Sequence, residues 1–242
     1  MAIRSLLGAS PASYGYRRVH ALLRRRNLVC NPKTVWRIMR RQGWLSTSRQ
    51  RVLRSGRRHE GRVQVAEPNR RRASDITSIQ AWDGQKGRLA VMLDCADRMV
   101  LAWRFGRRIS AEDLAEMLRE AVFRRFGEAR AAARGIEFLS DNGPEYTSHR
   151  FRPVVQALGL VPCHTPRRSP ESNGLAEAFF GSFKRDYVYQ ACLETLQEVG
   201  RQLPGWIMHY NHEAPHSALG MRAPAEFYAA WVVKNSKLPV QI

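Results

Sequence analysis

The chain has 242 residues, 44% of them hydrophobic, and 40 Lys and Arg against 21 Asp and Glu, a formal net charge of +19. That length holds one large domain or two small ones with a sizeable core. No stretch is apolar and long enough to span a membrane, the N-terminus has no signal-like apolar region, and four scattered cysteines exclude a disulfide framework or a metal knuckle.

The charge is concentrated at the front. Residues 1–74 hold 19 basic and 2 acidic side chains, and residues 75–242 hold 21 and 19. Such a polycation meets nucleic acid, because neutralising phosphates releases counterions. A solubilising tail and a segment lying on an anionic membrane are the competing explanations. Cys30, Cys95, Cys163 and Cys192 read as reduced thiols of a cytosolic protein, here expected to be cytoplasmic and nucleoid-associated.

In chain order, Arg17 to Arg26 carries Val19, Leu22 and Leu23 at helical spacing, with Asn27 able to end the helix. Asn31-Pro32 offers an N-cap and a first helical position for a second helix, Lys33 to Gln42, which Gly43 stops. Helix, turn, basic helix is the outline of a helix-turn-helix, whose second helix enters the major groove. Lys33, Arg37, Arg40 and Arg41 are then the candidate DNA contacts. A plain two-helix hairpin packed on another domain has the same outline.

Residues 46–69 are basic and poor in large apolar side chains, and read as a linker or an arm along DNA. From Ser74 the pattern changes to three apolar runs, 74–79, 89–93 and 99–105, joined by turns at 83–87 and near Ala96-Asp97-Arg98. A helix follows, with Leu114, Met117, Leu118, Ala121 and Val122 on one face, and then a strand that ends at Asp141. A helix over roughly 148–158, bent or shortened by Pro153, leads to a strand over 159–163 and a last long helix over 172–187. This order implies an α/β fold with a mixed sheet flanked by helices, which by analogy is ribonuclease-H-like. The expected domains are a helix-turn-helix region at 1–45, a linker at 46–69, a core at 70–230 and a tail at 231–242.

Three carboxylates stand out. Asp75 sits inside a strand, where Asp is disfavoured. Asp141 opens Asp141-Asn142-Gly143, which on its own is turn chemistry. Glu177 sits in the last helix, with 35 residues between it and Asp141, and Asn173 and Lys184 fall on or near its face. Phosphodiester cleavage suits such a set, because two Mg²⁺ ions can activate one oxygen and stabilise the other, and Mg²⁺ prefers a few carboxylates plus phosphate and water.

Longer stretches make the pattern specific. They are Tyr14-Gly15-Tyr16-Arg17-Arg18-Val19, Ser74-Asp75-Ile76-Thr77, Ser140-Asp141-Asn142-Gly143, Ser169-Pro170-Glu171-Ser172-Asn173-Gly174 with Glu177, and Tyr210-Asn211 with Pro215-His216-Ser217-Ala218-Leu219-Gly220. In these the chain resembles the transposases with a retroviral-integrase-like Asp-Asp-35-Glu core. More closely it resembles the OrfB part of the insertion-sequence-three family, in the branch like insertion sequence two. The resemblance implies that Asp75, Asp141 and Glu177 bind Mg²⁺, with Mn²⁺ able to substitute, and that Asn173 and Lys184 contact DNA. A capping role competes for Asn173 and a solvated surface lysine for Lys184.

The resemblance also implies nicking at the element's end and strand transfer on double-stranded DNA, by a homo-oligomer. Asp94 is expected at a strand end or beside the metal ligands, Asp97 in a turn, Glu145 exposed, and His216 as a structural histidine. Two departures matter. Arg70-Arg71-Arg72-Ala73 stands where the family usually has a tryptophan, so packing under the first strand is expected to be weaker. The further N-terminal helical region of family members, often joined by frameshifting, has no counterpart here. That implies a partial product or remnant, with an OrfA-type partner or fusion. A catalytically silent DNA-binding repressor and a stand-alone nuclease of the same fold are the rival functions.

Overall fold

A computed structural model describes residues 2–9, 11, 13–45, 65–128, 133–141, 143–164 and 174–236. Helices α1 (Ala2–Ala9), α2 (Tyr16–Arg25) and α3 (Pro32–Arg41) form the front module. Asn27 ends α2 in the left-handed region at φ 58°, and Asn31 caps α3 by accepting from the Lys33 amide at 2.8 Å. Gly43, at φ 68°, turns the chain away after α3. The sequence pattern did not reveal α1. Its Leu6 joins Tyr14, Val19, Leu23, Val35 and Met39 in a small core that also takes in Ala214, a residue of the C-terminal part.

Both outlines considered for this module are therefore realised: it is a helix-turn-helix, and it is packed on another part of the chain. Arg18 pairs with buried Asp186 at 2.6 Å, and Ser13 donates to the same carboxylate. Arg25 donates to the carbonyls of Glu213 and Met221 and pairs with Glu226 at 2.7 Å. The docking is made by the Ser13–Arg25 stretch, while the basic side chains of α3 remain exposed.

The core is a mixed sheet. Strands β1 (Arg71–Gln80), β2 (Lys86–Asp94) and β3 (Val100–Gly106) form the expected antiparallel meander, and β4 (Glu137–Ser140) and β5 (Val161–His164) extend it in parallel, in the order β3-β2-β1-β4-β5. Arg98, at φ 66°, makes the tight β2–β3 turn. One face is covered by α4 (Ala111–Phe126), opened by a capping box between Ser110 and Asp113, and by α6 (Arg152–Ala157). Leu114, Met117, Leu118, Ala121 and Val122 all bury there, as their spacing requires. The other face is covered by α7 (Gly174–Asp186) and α8 (Leu196–His212).

Several expectations are corrected or refined. The helix expected over 148–158 is shortened to Arg152–Ala157, with Pro153 in the first turn of α6, where a missing N–H costs nothing, after the separate one-turn α5 (Pro144–Thr147). The helix over 172–187 is not the last. Val199, Leu203, Ile207 and Tyr210 make the buried stripe of α8 in spite of Pro204 within it, and α9 (Pro224–Asn235) continues across position 231. The start of β1 is not thinly packed, since Arg72 is completely buried and lies over the Phe126 ring at 5.3 Å. Burial and the adjacent Arg125 charge lower the Arg72 pKa to about 10. Asp97 lies in the expected turn and is fully buried, accepting from the Met99 amide and paired with Arg125.

Candidate active site

Asp75 and Asp141 come together through strand register. β1 and β4 run parallel with Arg71 beside Glu137, Arg72 beside Phe138 and Ala73 beside Leu139. Carried two residues further, that register sets Asp141 beside Asp75 at the carboxyl end of β4. Asp75 accepts from the Ile76 amide at 2.8 Å. Burial, reinforced by the charges of Asp141 and Glu177, outweighs that bond and raises its pKa to about 6. Asp141 is exposed and accepts from the Gly143 amide at 3.0 Å, so its turn chemistry is present as well.

Glu177 stands in the first turn of α7, exposed, while Ala176, Phe179, Phe180 and Phe183 of the same helix bury against the sheet. The three carboxylates share one electrostatic field, and all offer hard oxygen donors of the kind Mg²⁺ takes. Among the described residues, no three His, Cys, Asp or Glu side chains converge tightly enough to hold one ion as they stand. The donor chemistry fits a divalent cation, and Asp75 feels the repulsion that a cation would relieve.

Lys184 is half-buried and donates to Thr77 Oγ1 at 2.7 Å, and burial lowers its pKa. Thr77 lies two residues beyond Asp75 on β1 and so on the same face of the sheet. Lys184 is thus a bonded lysine beside the cluster and not a freely solvated one. Asn173 lies outside the described residues. Lys33, Arg37, Arg40 and Arg41 line the exposed side of α3, away from the carboxylates in sequence and fold, with Arg40 over the Trp36 ring at 5.2 Å.

Asp94 ends β2, is fully buried, and accepts from the amides of Asn69, Ala96 and Asp97, which makes it a structural strand end. His216 is packed edge-on against Tyr210 at 4.7 Å, and burial lowers its pKa to about 4. Glu145 departs from expectation: its side chain is only 17% exposed and pairs with Arg88 of β2 at 2.5 Å.

Three positioning contacts had no clear signal in the pattern. Tyr146 is buried, and its hydroxyl meets Ser74 Oγ at 2.8 Å, joining the segment after Asp141 to the residue before Asp75. Arg88 holds Glu145. Asp186 ends α7, where the helix dipole disfavours an acid, and is held by Ser13, Arg18 and Arg185. That misfit of an acid at a helix C-terminus was the one sequence clue to the module junction. A groove of about 600 Å³ runs between α4 and α6, lined by Arg119, Phe123, Val154 and Leu158 among others and by none of the three carboxylates. Asp141 and Glu177 are exposed, and Asp75 is partly buried.

Comparison with known proteins agrees with this layout. An integrase core domain matches residues 65–170, a second integrase core domain model matches 158–224, and an HTH-like domain matches 1–52. An uncharacterized protein of insertion element IS136 from Agrobacterium fabrum is 44% identical over 74% of this chain and 92% of its own length. The InsD transposase of insertion element IS2 from Escherichia coli is 39% identical over 93% of this chain and 76% of its own length. A chain of the simian T-cell lymphotropic virus intasome has the same fold at 16% identity, with a TM-score of 0.53 over 99% of this chain and 76% of its own. The Mos1 transposase catalytic domain, solved with raltegravir and Mg, matches with a TM-score of 0.50 and 20% identity over 69% of this chain and 78% of its own. With its helix-turn-helix module, its ribonuclease-H-like core and these relatives, the chain belongs to the insertion-element transposases of the insertion-sequence-three family, OrfB type.

Proposed function

We propose that Asp75, Asp141 and Glu177 are the metal-binding catalytic residues with which this transposase nicks and joins DNA at the ends of its element. The observation that carries the reading is that the parallel β1–β4 register, carried past Ala73 and Leu139, brings Asp141 beside Asp75, whose pKa burial, reinforced by the charges of Asp141 and Glu177, raises to about 6. Mg²⁺, or Mn²⁺ in its place, would be held by these three carboxylates and would supply activation of the attacking oxygen and charge stabilisation at the leaving one. The Mos1 domain solved with Mg supports that choice of ion.

The chain's own groups do the rest. Lys184, beside Asp75 and Thr77, holds a phosphate of the bound strand near the cluster, and Asn173 contacts the same strand. Lys33, Arg37, Arg40 and Arg41 grip duplex DNA along α3. In the first step a water oxygen bonds to phosphorus, the P–O3′ bond breaks, and the departing oxygen leaves as a 3′-OH. In the second, that hydroxyl attacks another phosphodiester, so one P–O bond replaces another and no ATP is needed. Double-stranded DNA, a second copy of the chain on that DNA and an OrfA-type partner or fusion are the partners of this reading. Among the described residues no helix is long and apolar enough to cross a membrane.

The test is a labelled duplex carrying the element's terminal repeat, with Mg²⁺ or Mn²⁺, comparing wild type with Asp141→Asn for nicking, joining and binding. Metal-dependent nicking lost in the variant supports the reading, and joined products separate a transposase from a nuclease. Binding without cleavage by both proteins points to the repressor.

A further inference from the structure

The segment after Asp141 is tied to the β1–β2 hairpin at two adjacent residues. Tyr146 is one tie, through its hydroxyl to Ser74. Glu145 is the other, and its two oxygens have different surroundings. Oε1 accepts from Arg88 Nη1 at 2.5 Å. Oε2 lies on the side of Asp141: a methyl group placed on Gly143 would be 3.0 Å from Asp141 Oδ1 and 3.3 Å from Glu145 Oε2. Both carboxylates thus border the space beside Gly143, where an added methyl group would have to push their oxygens aside by a few tenths of an ångström.

An acid freed beside a cation site would add a like charge there and compete for the ion. Glu145 carries one counter-charge in the structure, Arg88, whose side chain is 40% exposed while that of Glu145 is 17% exposed. Arg88 stands on β2 opposite Ser78, three residues along β1 from Asp75. The pair therefore ties β2, the antiparallel neighbour of the strand that bears Asp75, to the segment that follows Asp141.

We propose that Arg88 is a positioning residue of the carboxylate cluster: by engaging Glu145 it holds that carboxylate against the hairpin and off Asp141. The proposal rests on the metal-binding role given above to Asp75, Asp141 and Glu177. It makes an asymmetric prediction that a simple anchor does not. If the pair only fastens the segment, removing either partner does the same damage, and removing both does no less. If Arg88 restrains a competing charge, removing Arg88 alone is harmful, and removing Glu145 as well repairs it.

The experiment compares the full chain as wild type, Arg88→Ala, Glu145→Ala and the double variant. The readouts are Mn²⁺ affinity by calorimetry, the metal-induced rise in Tm, and nicking of the labelled duplex. The expected result is that Arg88→Ala binds Mn²⁺ about tenfold more weakly, the scale typical of a lost partner just outside a metal site. Glu145→Ala and the double variant should both bind close to wild type. Equal losses in all three variants, or a double variant worse than Arg88→Ala, would overturn the proposal while leaving the carboxylate site intact. Absence of any Mn²⁺ response in wild type would instead overturn the metal-site reading, and this proposal with it. The metal-free Tm of each variant separates both outcomes from misfolding.

Discussion

Asp141 directly follows β4, and the parallel β1–β4 register, carried two residues past its last pair, brings it beside Asp75, although 65 residues separate the two in sequence. In parallel strands, residues at matching positions present their side chains to the same region at one end of the sheet, and these two are charged alike. Keeping Asp75 ionised there has a cost: burial first, and then the charges of Asp141 and Glu177, raise its pKa to about 6. On the proposed function, a bound cation would offset that cost.

The cost can be measured. A carboxylate whose folded pKa lies above its usual 3.8 favours folding at low pH, and that contribution disappears as pH rises through about 6. Asp75→Asn in metal-free buffer should therefore raise stability above pH 6, by on the order of 1 kcal/mol once solvent screening is discounted. The gain should vanish below about pH 4. Chemical denaturation across that range checks it, and added Mg²⁺ should stabilise wild type but not the variant.

His216 shifts the other way. Its folded pKa, near 4, lies below the usual 6.5, so its contribution is complete above pH 6.5 and is lost as pH falls through 4. His216→Phe should flatten the acid side of the stability profile in that window, as followed by Tm against pH.

Asp186 joins the front module to the helix that carries Glu177. Asp186→Ala leaves Arg18 and Arg185 without their shared acid and should cost roughly 3 kcal/mol. Arg18→Ala should cost less, because Ser13 and Arg185 still serve the carboxylate. Urea midpoints of the two variants decide the order.

Tyr146→Phe removes the hydroxyl that meets Ser74 and should cost about 1 kcal/mol, while Ser74 keeps its bond to the Val91 carbonyl. The denaturation midpoint should move without a change in slope.

On α3, each of Lys33, Arg37, Arg40 and Arg41 is exposed and belongs to the free side of the module. Replacing one with Ala should lower the slope of log affinity against log salt by roughly 0.9 wherever that side chain neutralises a phosphate. An unchanged slope at all four positions would remove α3 from the DNA interface.

Much of this architecture was legible because local chemistry and tertiary packing agree. The Asn31-Pro32 start of α3, the buried stripe of α4 and the three-strand meander follow from capping and periodicity alone. α8 was hidden because Gly200, Pro204 and Gly205 dilute a helical signal that only burial against β3 makes stable. α1 is a single short helix whose apolar face has no partner until α2 is in place. Buried charges were the least legible. Nothing in Arg70-Arg71-Arg72 marks Arg72 as the one that goes inside, over Phe126, and nothing in Pro144-Glu145-Tyr146 tells that Glu145 meets Arg88 rather than water. Those outcomes depend on which side chains stand opposite in the finished sheet.

The most direct test of the three-carboxylate site is anomalous diffraction from crystals of the chain grown with Mn²⁺. The account predicts anomalous density bounded by the carboxylates of Asp75, Asp141 and Glu177, and its loss in Asp141→Asn crystals. Mn²⁺ bound elsewhere, with none between these three side chains, would contradict it.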